Sequence, residues 1–563
     1  MRILKQGVLA AFLATVLPGL AFAGAYDATA NSVTYGPGLF GQAVTGGYIA
    51  TPVSLANTLA ADDGVTIEVR FKCTGTTTAS QVLAGSKNFG YIGVTSAGQL
   101  TVVNNGSDGS QPTLLSSSVV NDGEWHTATL VIGTGAMVGY LDGTSLGAVA
   151  TNIKTVPAGV QFGLRGFEDG TFPFNGSLDE ISFWGDVRSW QNWTPEDAPF
   201  QGIETGLLAL YHVNGDATDS VSSSVSASFT DGTVYFSPYN WANTSEKVRD
   251  SINAGAYFKT TFSGEKCALA FNTYGEADPL TQVSVSVDGL APKIYPVRGS
   301  IPCAPSSLVA TSVHSLRVSL KSTSEGLTRW ATTPGTRAEL TGISIGDGQS
   351  FYVPKVYPRV LLFYGDSITE GVRTLGETQT YDTDRNDNAV EWSAQVAQRL
   401  NAEYGIVGFG GTGLTVSGSG GVPSLPNAWS QIYPGQNRSF ASCPDAMIEN
   451  EGTNDGGAAA SNVQAAETSF LTVFSTMCPS TKSIVMRPFN RAQWSALQAA
   501  AAGMSSRNIS LLDTTGFMNT MMGVDSLGLH PTANNAVNYL APQVATAVRQ
   551  IIEARPSQTY TFR

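Results

Sequence analysis

The feature that most constrains the fold is a change in the spacing of hydrophobic residues near Tyr357. Before this residue, apolar and polar positions alternate between Gly, Asp and Asn turns, as they do in antiparallel strands with one solvated face. After it, apolar strand-like segments alternate with segments in which apolar residues recur every four positions, as Trp392, Val396 and Leu400 do. The sequence therefore predicts β-sheet domains followed by an α/β domain with a parallel sheet.

The β part divides into two stretches, and each is typical of a sandwich of its own. The first contains GVTIEVRFKC, in which polar and apolar residues alternate in the order Thr66, Ile67, Glu68, Val69, Arg70, Phe71. In the second, TQVSVSVDG and HSLRVSLKS alternate in the same way. At roughly 150 residues per domain, 563 residues make three or four domains. We predict two all-β sandwich (jelly-roll) domains over residues 24–228 and 229–350, then a doubly wound, flavodoxin-like α/β domain over residues 351–563.

The first 23 residues have the pattern of a cleaved signal peptide. Arg2 and Lys5 precede an apolar run that Pro18 interrupts, and the run ends in the small-x-small sequence AFA at residues 21–23. A membrane anchor is the alternative, but it needs about 20 unbroken apolar residues. We therefore expect a secreted or periplasmic protein without a membrane span.

The charge balance excludes one class of partner. Charged residues make up only 13% of the chain, the formal net charge is −13, and Lys and Arg form no run. Because a nucleic-acid partner needs a basic patch to neutralise its phosphates, we expect no nucleic-acid binding. No CxxC or HExxH spacing occurs, so no metal site of those kinds is encoded and no cofactor is expected.

Export permits disulfide bonds, and the chain has five cysteines. Cys267 and Cys303 fall within one predicted domain, and Cys443 and Cys478 fall within another. We predict that each pair forms a disulfide. Cys73 is left over on an apolar strand, where a buried, inert thiol is expected.

Four short blocks after Tyr357 carry the residue types of a serine hydrolase. YGDSITEG places Ser367 between a strand and a helix, GFGGTGLT surrounds Gly413, EGTND contains Asn454, and DSLGLHPT brings His530 before the last helix. Each block follows or flanks a predicted strand end, and in a parallel sheet these ends share one edge. A serine hydroxyl becomes nucleophilic when an imidazole takes its proton, and N–H groups then stabilise the oxyanion.

In this order the four blocks resemble the SGNH hydrolases, the branch of the GDSL esterase superfamily named for Ser, Gly, Asn and His. The resemblance implies these site residues: Ser367 as nucleophile, His530 as general base, and Ser367, Gly413 and Asn454 as the donors of the oxyanion hole. Gly410 or Gly411 can take the place of Gly413, because the run has too many glycines for spacing to decide.

One position departs from the family pattern. Relatives usually carry Asp three residues before the histidine, but Leu527 stands there, and the nearest upstream carboxylate is Asp525. A turn at Gly528 can fold Asp525 back towards His530 and complete a triad. Otherwise a backbone carbonyl orients the imidazole, and the chain has a Ser-His dyad.

The substrate is indicated by the other segments. The order VRFK, NDGEWHTATLV, GYLDG and FNGSLDEISFWGDV resembles laminin-G-like, concanavalin-A-like jelly rolls, and the second β stretch resembles the small domain that precedes the catalytic domain in some carbohydrate esterases. Trp429 and Tyr433 lie in a turn-rich stretch and are candidates for lining a sugar site. The resemblance implies a carboxylic ester hydrolase of the acetyl-xylan-esterase type, acting on an acylated polysaccharide. A lipase or arylesterase, and a carbohydrate-binding or adhesion protein with an inactive hydrolase domain, are the alternatives.

Overall fold

The computed structural model describes residues 25–62, 64–75, 79–105, 110–133, 135–151, 156–188, 199–272, 279–297, 299–303, 308–504 and 507–554. The predicted signal peptide, residues 1–23, lies outside these ranges. Over the described residues, the helices are all too short or too polar to cross a membrane.

An antiparallel sheet of 13 strands forms the first part of the chain. Its strands are β1 (Thr29–Pro37), β2 (Gln42–Ala50), β3 (Gly64–Thr74), β4 (Gln81–Ser86), β5 (Gly90–Val94), β6 (Gln99–Asn104), β7 (Thr113–Val119), β8 (Asp122–Gly133), β9 (Ala136–Leu141), β10 (Thr144–Ala150), β11 (Gly163–Leu164), β12 (Gly176–Trp184) and β13 (Leu207–Tyr211), with helix α1 (Val53–Leu59) after β2. The main strand order is β10-β9-β8-β3-β12-β2-β11-β4-β5-β6-β7. The sheet folds around an apolar core to which β3 contributes Ile67, Val69 and Phe71.

The other face of β3 is not solvated, contrary to the sequence pattern. Thr66, Glu68 and Arg70 are all buried. Other segments of the same domain lie over these residues: the Thr66 hydroxyl donates to the Asp186 carbonyl oxygen at 2.8 Å, and the Arg70 guanidinium lies over the rings of Phe40 and Phe200. Phe200 in turn shares an apolar cluster with Trp184 and residues of the second sandwich. Alternation along a strand shows which residues share a face, but not whether other segments cover that face.

Two six-stranded antiparallel sheets form the second sandwich. Its strands are β14 (Ser224–Ser226), β15 (Val234–Phe236), β16 (Ala242–Ser245), β17 (Val248–Ser251), β18 (Tyr257–Ser263), β19 (Cys267–Asn272), β20 (Gln282–Val287), β21 (Lys293–Pro296), β22 (Ser300–Pro302), β23 (Val313–Ser322), β24 (Ala338–Gly346) and β25 (Phe351–Tyr352). One sheet has the order β16-β17-β24-β19-β22 with β14 on β24, and the other has the order β15-β18-β23-β20-β21 with β25 on β18. Alternate residues such as Val283, Val285 and Val287 fill the core between them, as predicted.

The last part of the chain is an α/β unit around a five-stranded parallel sheet. Its strands are β26 (Arg359–Gly365), β27 (Ala402–Gly408), β30 (Ala446–Asn450), β31 (Lys482–Met486) and β32 (Ile509–Leu512), and a small hairpin is formed by β28 (Gln431–Tyr433) and β29 (Gln436–Asn437). The helices are α2 (Ser367–Glu370), α3 (Asp382–Arg385), α4 (Trp392–Arg399), α5 (Leu425–Ala428), α6 (Ala460–Met477), α7 (Trp494–Ala502), α8 (Ala533–Asn535) and α9 (Ala541–Glu553). The strand order β27-β26-β30-β31-β32 is that of a flavodoxin-like sheet.

Both faces of this sheet are covered by apolar helix faces. Trp392, Val396 and Leu400 are buried against one face, as their spacing predicts. The predicted fold class, two all-β sandwiches followed by a doubly wound α/β unit, is confirmed, while the domain boundaries at residues 228 and 350 stay a prediction.

The second sandwich also covers the edge strand of the parallel sheet. The side-chain amide of Asn240 donates to the Ile406 carbonyl oxygen at 2.7 Å and accepts from the Ile406 N–H at 3.0 Å. Because an open strand edge leaves backbone groups unpaired, this contact protects β27 and ties the two units together.

Both predicted disulfides are present, joining Cys267 to Cys303 and Cys443 to Cys478. Cys73 is a free, buried thiol whose Sγ donates to the Val120 carbonyl oxygen at 3.3 Å. Burial raises the pKa of this thiol to about 11. The buried position predicted for Cys73 is confirmed, and its lack of reactivity stays a prediction.

Candidate active site

The strand ends bring the predicted blocks together. Gly365 at the end of β26 pairs with Gly408 at the end of β27 and with Asn450 at the end of β30. Ser367 follows the first of these strand ends, and Asn454 follows the third. The serine, glycine and asparagine blocks therefore leave the sheet side by side at its carboxyl edge, where doubly wound folds bind their ligands.

Ser367 is the first residue of α2. Asp366 caps this helix, because its side chain accepts the Ile368 N–H at 2.9 Å. A Cβ at Gly365 would lie 2.1 Å from Thr369 Oγ1, so only glycine permits the sharp turn from strand to helix. This turn sets the Ser367 hydroxyl at the helix N-terminus.

Ser367, His530 and Asp525 form one hydrogen-bonded chain. The Nε2 atom of His530 lies 2.8 Å from Ser367 Oγ, and its Nδ1 atom lies 2.7 Å from Asp525 Oδ2. An ionised carboxylate only accepts hydrogen bonds, so Nδ1 carries the proton and Nε2 is free to accept the serine proton. A carboxylate, rather than a backbone carbonyl, therefore contacts the imidazole.

A tight turn absorbs the offset of Asp525 from the family position. The Asp525 N–H donates to the His530 carbonyl oxygen at 2.9 Å, and Gly528, with φ of 68°, donates its N–H to the Asp525 carbonyl oxygen at 2.9 Å. Asp525 Oδ1 accepts the N–H groups of Leu529 and His530 at 2.9 and 3.0 Å. Burial raises the pKa of Asp525, but hydrogen bonds from the His530 side chain and these two N–H groups outweigh it and lower that pKa to about 2.

Arg373, which no motif in the sequence singles out, also contacts Asp525. Its Nη1 atom lies 2.9 Å from Asp525 Oδ2 and 3.1 Å from Glu377 Oε1. Glu377 in turn accepts from the N–H and hydroxyl of Ser526 at 2.8 and 3.0 Å. The loop after the nucleophile helix thus holds the turn that carries His530.

Three donors remain for an oxyanion. Among the described residues, the backbone N–H groups of Ser367 and Gly411 donate no hydrogen bond. The amide nitrogen of Asn454 donates to the Thr412 carbonyl oxygen at 2.7 Å, which uses one of its two hydrogens. Each of these groups has a hydrogen to offer.

The predicted donor role of Gly413 is wrong. Its N–H already donates to the Val416 carbonyl oxygen at 3.0 Å, and the N–H of Gly410 donates to Glu370 Oε2 at 2.6 Å. Glycine is needed at position 413 for packing, since a Cβ there would lie 2.3 Å from Asp455 Oδ2. Of the glycines that the sequence left open, only Gly411 keeps an unengaged N–H among the described residues.

Trp429 and Tyr433 do not line a site, which corrects the prediction made from their turn-rich surroundings. Trp429 is 6% exposed and Tyr433 is 2% exposed. The hydroxyl of Tyr433 donates to Asp250 Oδ2 of the second sandwich at 2.7 Å. The indole of Trp429 packs against three aromatic rings, those of Phe440, Phe470 and Phe474.

Buried carboxyl groups lie behind the site. Burial raises the pKa of Asp366 to about 6 and of Glu467 to about 7, and it raises the pKa values of Glu449 and Glu451 well above their usual range. The nearby charge of Glu467 adds to burial in raising the pKa of Glu449. No cluster of three or more His, Cys, Asp or Glu side chains in the described part of the chain could hold a metal ion.

Comparison with known proteins supports the architecture. Residues 44–192 match the laminin-G-like sequence model of the concanavalin A-like lectin/glucanases superfamily. This match identifies a laminin-G-like domain, and the same chain carries an α/β unit with a parallel sheet and the Ser367–His530–Asp525 hydrogen-bonded chain. The chain is also similar to the cellulase/esterase CelE of Acetivibrio thermocellus, with 28% identity over 226 residues. That alignment covers 37% of this chain and 27% of the relative, so the chain spans about a quarter of the relative's length. The resemblance to carbohydrate esterases is thereby confirmed.

Solved structures with a similar fold include a family two carbohydrate esterase from Cellvibrio japonicus, with 16% identity and a TM-score of 0.48 over 59% of this chain and 98% of that chain. An acetyl xylan esterase from Butyrivibrio proteoclasticus has 16% identity and a TM-score of 0.48 over 58% and 98% of the two chains. A family two carbohydrate esterase from Clostridium thermocellum, solved with cellohexaose, has 17% identity and a TM-score of 0.47 over 56% and 98%. Sequence identities and TM-scores this low do not indicate which reaction this protein catalyses.

Proposed function

We propose that this protein is a secreted serine esterase that removes acetyl groups from a polysaccharide through an acyl-enzyme. The observation that carries the proposal is the hydrogen-bonded chain from Ser367 Oγ through His530 to Asp525, with distances of 2.8 and 2.7 Å. A serine within 3 Å of an imidazole that a carboxylate orients is the arrangement that activates a hydroxyl for acyl transfer.

In the first half-reaction, Ser367 Oγ attacks the carbonyl carbon of the ester while its proton moves to Nε2 of His530. The N–H groups of Ser367, Gly411 and the Asn454 amide are the proposed donors to the oxyanion, and losing one such donor commonly costs ~10²–10³ in rate. When the tetrahedral intermediate collapses, the sugar oxygen leaves and takes the proton from Nε2. The acetyl group stays on Ser367.

In the second half-reaction, His530 takes a proton from water, and the resulting nucleophile attacks the acyl-enzyme. Collapse of the second intermediate releases acetate and returns the proton to Ser367 Oγ. Asp525 keeps Nδ1 of His530 protonated throughout and stabilises the imidazolium that forms twice per turnover, without itself taking the proton.

Two observations support a polysaccharide substrate: the similar relative is a cellulase/esterase, and the first sandwich matches a lectin/glucanase superfamily. The two disulfides support secretion, because they suit an oxidising compartment outside the cytosol. We infer that the sandwich over residues 24–228 binds the polymer and that the unit over residues 351–563 carries the catalysis.

Acetate release from a panel of acetylated polysaccharides, measured beside hydrolysis of long-chain p-nitrophenyl esters, tests this proposal. We expect acetate from at least one glycan and little turnover of long acyl chains, with both signals lost in Ser367→Ala. Turnover confined to long-chain esters would favour a lipase or arylesterase. Inertness towards every ester would favour a binding protein.

A further inference from the structure

An arginine of the second sandwich is buried inside the α/β unit. Arg329 lies between β23 and β24, and its side chain is fully buried. Its guanidinium donates from Nε to the Ser324 carbonyl oxygen at 2.9 Å and from Nη2 to the Thr323 carbonyl oxygen at 3.0 Å. The backbone of its own loop thus fixes the orientation of the guanidinium.

The remaining contacts of this guanidinium reach the nucleophile helix. Nη1 lies 3.2 Å from Glu370 Oε2, and Nη2 lies 2.5 Å from Glu370 Oε1. Glu370 is the last residue of the helix that begins at Ser367. A bidentate, buried ion pair of this kind is geometrically specific, because the planar guanidinium matches the planar carboxylate.

Glu370 passes this constraint to the glycine loop, residues 409–421. Its Oε2 atom accepts the N–H of Gly410 at 2.6 Å. The same sandwich loop holds the far end of the glycine loop, where the Gly420 carbonyl oxygen accepts the backbone N–H groups of Arg329 and Trp330 at 2.9 and 3.1 Å. The sandwich therefore holds one end of the glycine loop directly, at Gly420, and the other end through Glu370, at Gly410.

We propose that Arg329 is a positioning residue for the reaction: through Glu370 it fixes Gly410 and thereby aims the neighbouring N–H of Gly411 at the oxyanion. The inference rests on the proposed function, and it assigns to the second sandwich a part in completing the active site. Arg329 itself touches neither the substrate nor the reacting atoms.

The ionisation of Glu370 explains why the position of the glycine loop depends on Arg329. Burial and the nearby charge of Glu325 raise the pKa of Glu370, while the guanidinium of Arg329 and the Gly410 N–H lower it. Loss of Arg329 removes the counter-charge of this buried carboxyl group and so favours its neutral form. A neutral carboxyl accepts the Gly410 N–H more weakly than a carboxylate does, so the loop is free to shift. Displacements of about 0.5 Å are enough to impair a preorganised site.

The test uses the full chain and compares Arg329→Gln and Arg329→Lys with a matched control. The control is Lys259→Gln, which removes another ion pair between the sandwich and the α/β unit. Lys259 Nζ lies 2.6 Å from Glu403 Oε1, and Glu403 lies near the start of β27, at the opposite end of that strand from the glycine loop. Loss of this pair is expected to lower Tm and leave kcat unchanged.

For Arg329→Gln we expect kcat to fall about 10²-fold with KM changed less than about threefold. The reason is that the oxyanion forms in the transition state and the tetrahedral intermediate, and not in the bound substrate. Binding of a boronic acid that mimics the tetrahedral intermediate should weaken by the same factor as kcat/KM, a readout that loss of stability alone does not move. Arg329→Lys keeps the charge without the planar fork, so it should recover part of kcat. If Arg329→Gln does not fold, Arg329→Lys gives the same comparison.

A wild-type kcat in the folded Arg329 variants, or an equal fall in kcat for Lys259→Gln, would overturn this inference alone. Absence of Ser367-dependent turnover in the wild-type protein would contradict the proposed function as well. The two failures are therefore distinguishable.

Discussion

Asp525 and His530 contact each other three times. The Asp525 carboxylate binds His530 Nδ1 at 2.7 Å and the His530 backbone N–H at 3.0 Å, while the Asp525 N–H donates to the His530 carbonyl oxygen at 2.9 Å. The turn that closes this ring includes Gly528 in a left-handed conformation. The spacing of five residues between acid and base is therefore built into the backbone, and the imidazole orientation follows from it.

We expect Asp525→Asn to lower kcat/KM by at least ~10²-fold, because an amide cannot hold the tautomer and the imidazolium as a carboxylate does. The variant should also change how the free energy of unfolding depends on pH. The pKa of Asp525 is about 2 in the folded protein, below its usual value, so the wild-type carboxylate stabilises the fold above about pH 4 and loses this effect as the pH falls towards 2.

Chemical unfolding of both proteins across that acid range should show a stability difference that shrinks on acidification. If Asp525→Asn has the wild-type kcat/KM, then Ser367 and His530 act as a dyad and Asp525 has no role in catalysis.

Asn454→Ala tests the side-chain donor. We expect kcat to fall about 10²-fold or more with little change in KM, because the amide acts mainly on the oxyanion. Steady-state kinetics on a soluble acetyl ester measures both constants. Gln464→Ala, on the exposed face of α6, serves as the control and should leave both unchanged. A rise in KM at constant kcat would make Asn454 a ground-state contact instead.

Trp429→Ala tests whether Trp429 is a core residue or contacts the substrate. Truncation of a buried Trp typically costs about 3–5 kcal/mol, and the packing of Trp429 against three phenylalanine rings predicts a loss in that range. Tyr433→Phe, which removes only the hydroxyl bonded to Asp250, should cost about 1 kcal/mol. Urea unfolding measures both changes. An unchanged stability with a raised KM would restore the substrate-binding role.

The Glu449–Glu467 pair predicts a pH dependence of stability. The pKa of Glu467 is raised to about 7 in the folded protein, so between about pH 4.3 and 7 the folded state binds more protons than the unfolded state. Stability should therefore fall as the pH rises through this window, by up to about 1.4 kcal/mol per pH unit for each such proton.

Glu467→Gln removes this titrating group, so its unfolding free energy should vary less with pH than that of the wild-type protein. Glu246→Gln, at an exposed position, should reproduce the wild-type slope. Parallel slopes for the wild-type and Glu467→Gln proteins would contradict the raised pKa of Glu467.

Local patterns predicted much of this structure, and long-range contacts account for what they missed. The strand-turn-helix pattern at Ser367 and the single histidine near the last helix depend on local sequence, and both lie where that pattern predicts. Gly413 was the wrong glycine, because hydrogen bonds within the loop, invisible to spacing, decide which N–H stays unengaged.

Trp429 was misassigned because turn composition says nothing about aromatic partners brought from α6. Arg329 carries no local signal at all. It is separated from Glu370 by 41 residues and reaches it from another sheet system. The contact between Arg329 and Glu370 can be identified only from a structure in which the second sandwich is packed against the α/β unit.

The central claim is that Ser367 accepts the acyl group. Acid quenching of the wild-type protein during turnover of an acetylated substrate, followed by peptide mass spectrometry, measures this directly. We predict one acetyl group on the peptide that contains Ser367, with neither adduct nor turnover in Ser367→Ala and a strongly reduced rate of adduct formation in His530→Ala. Ester turnover that persists in purified Ser367→Ala, or an acetyl group that accumulates on a different residue, would contradict the account.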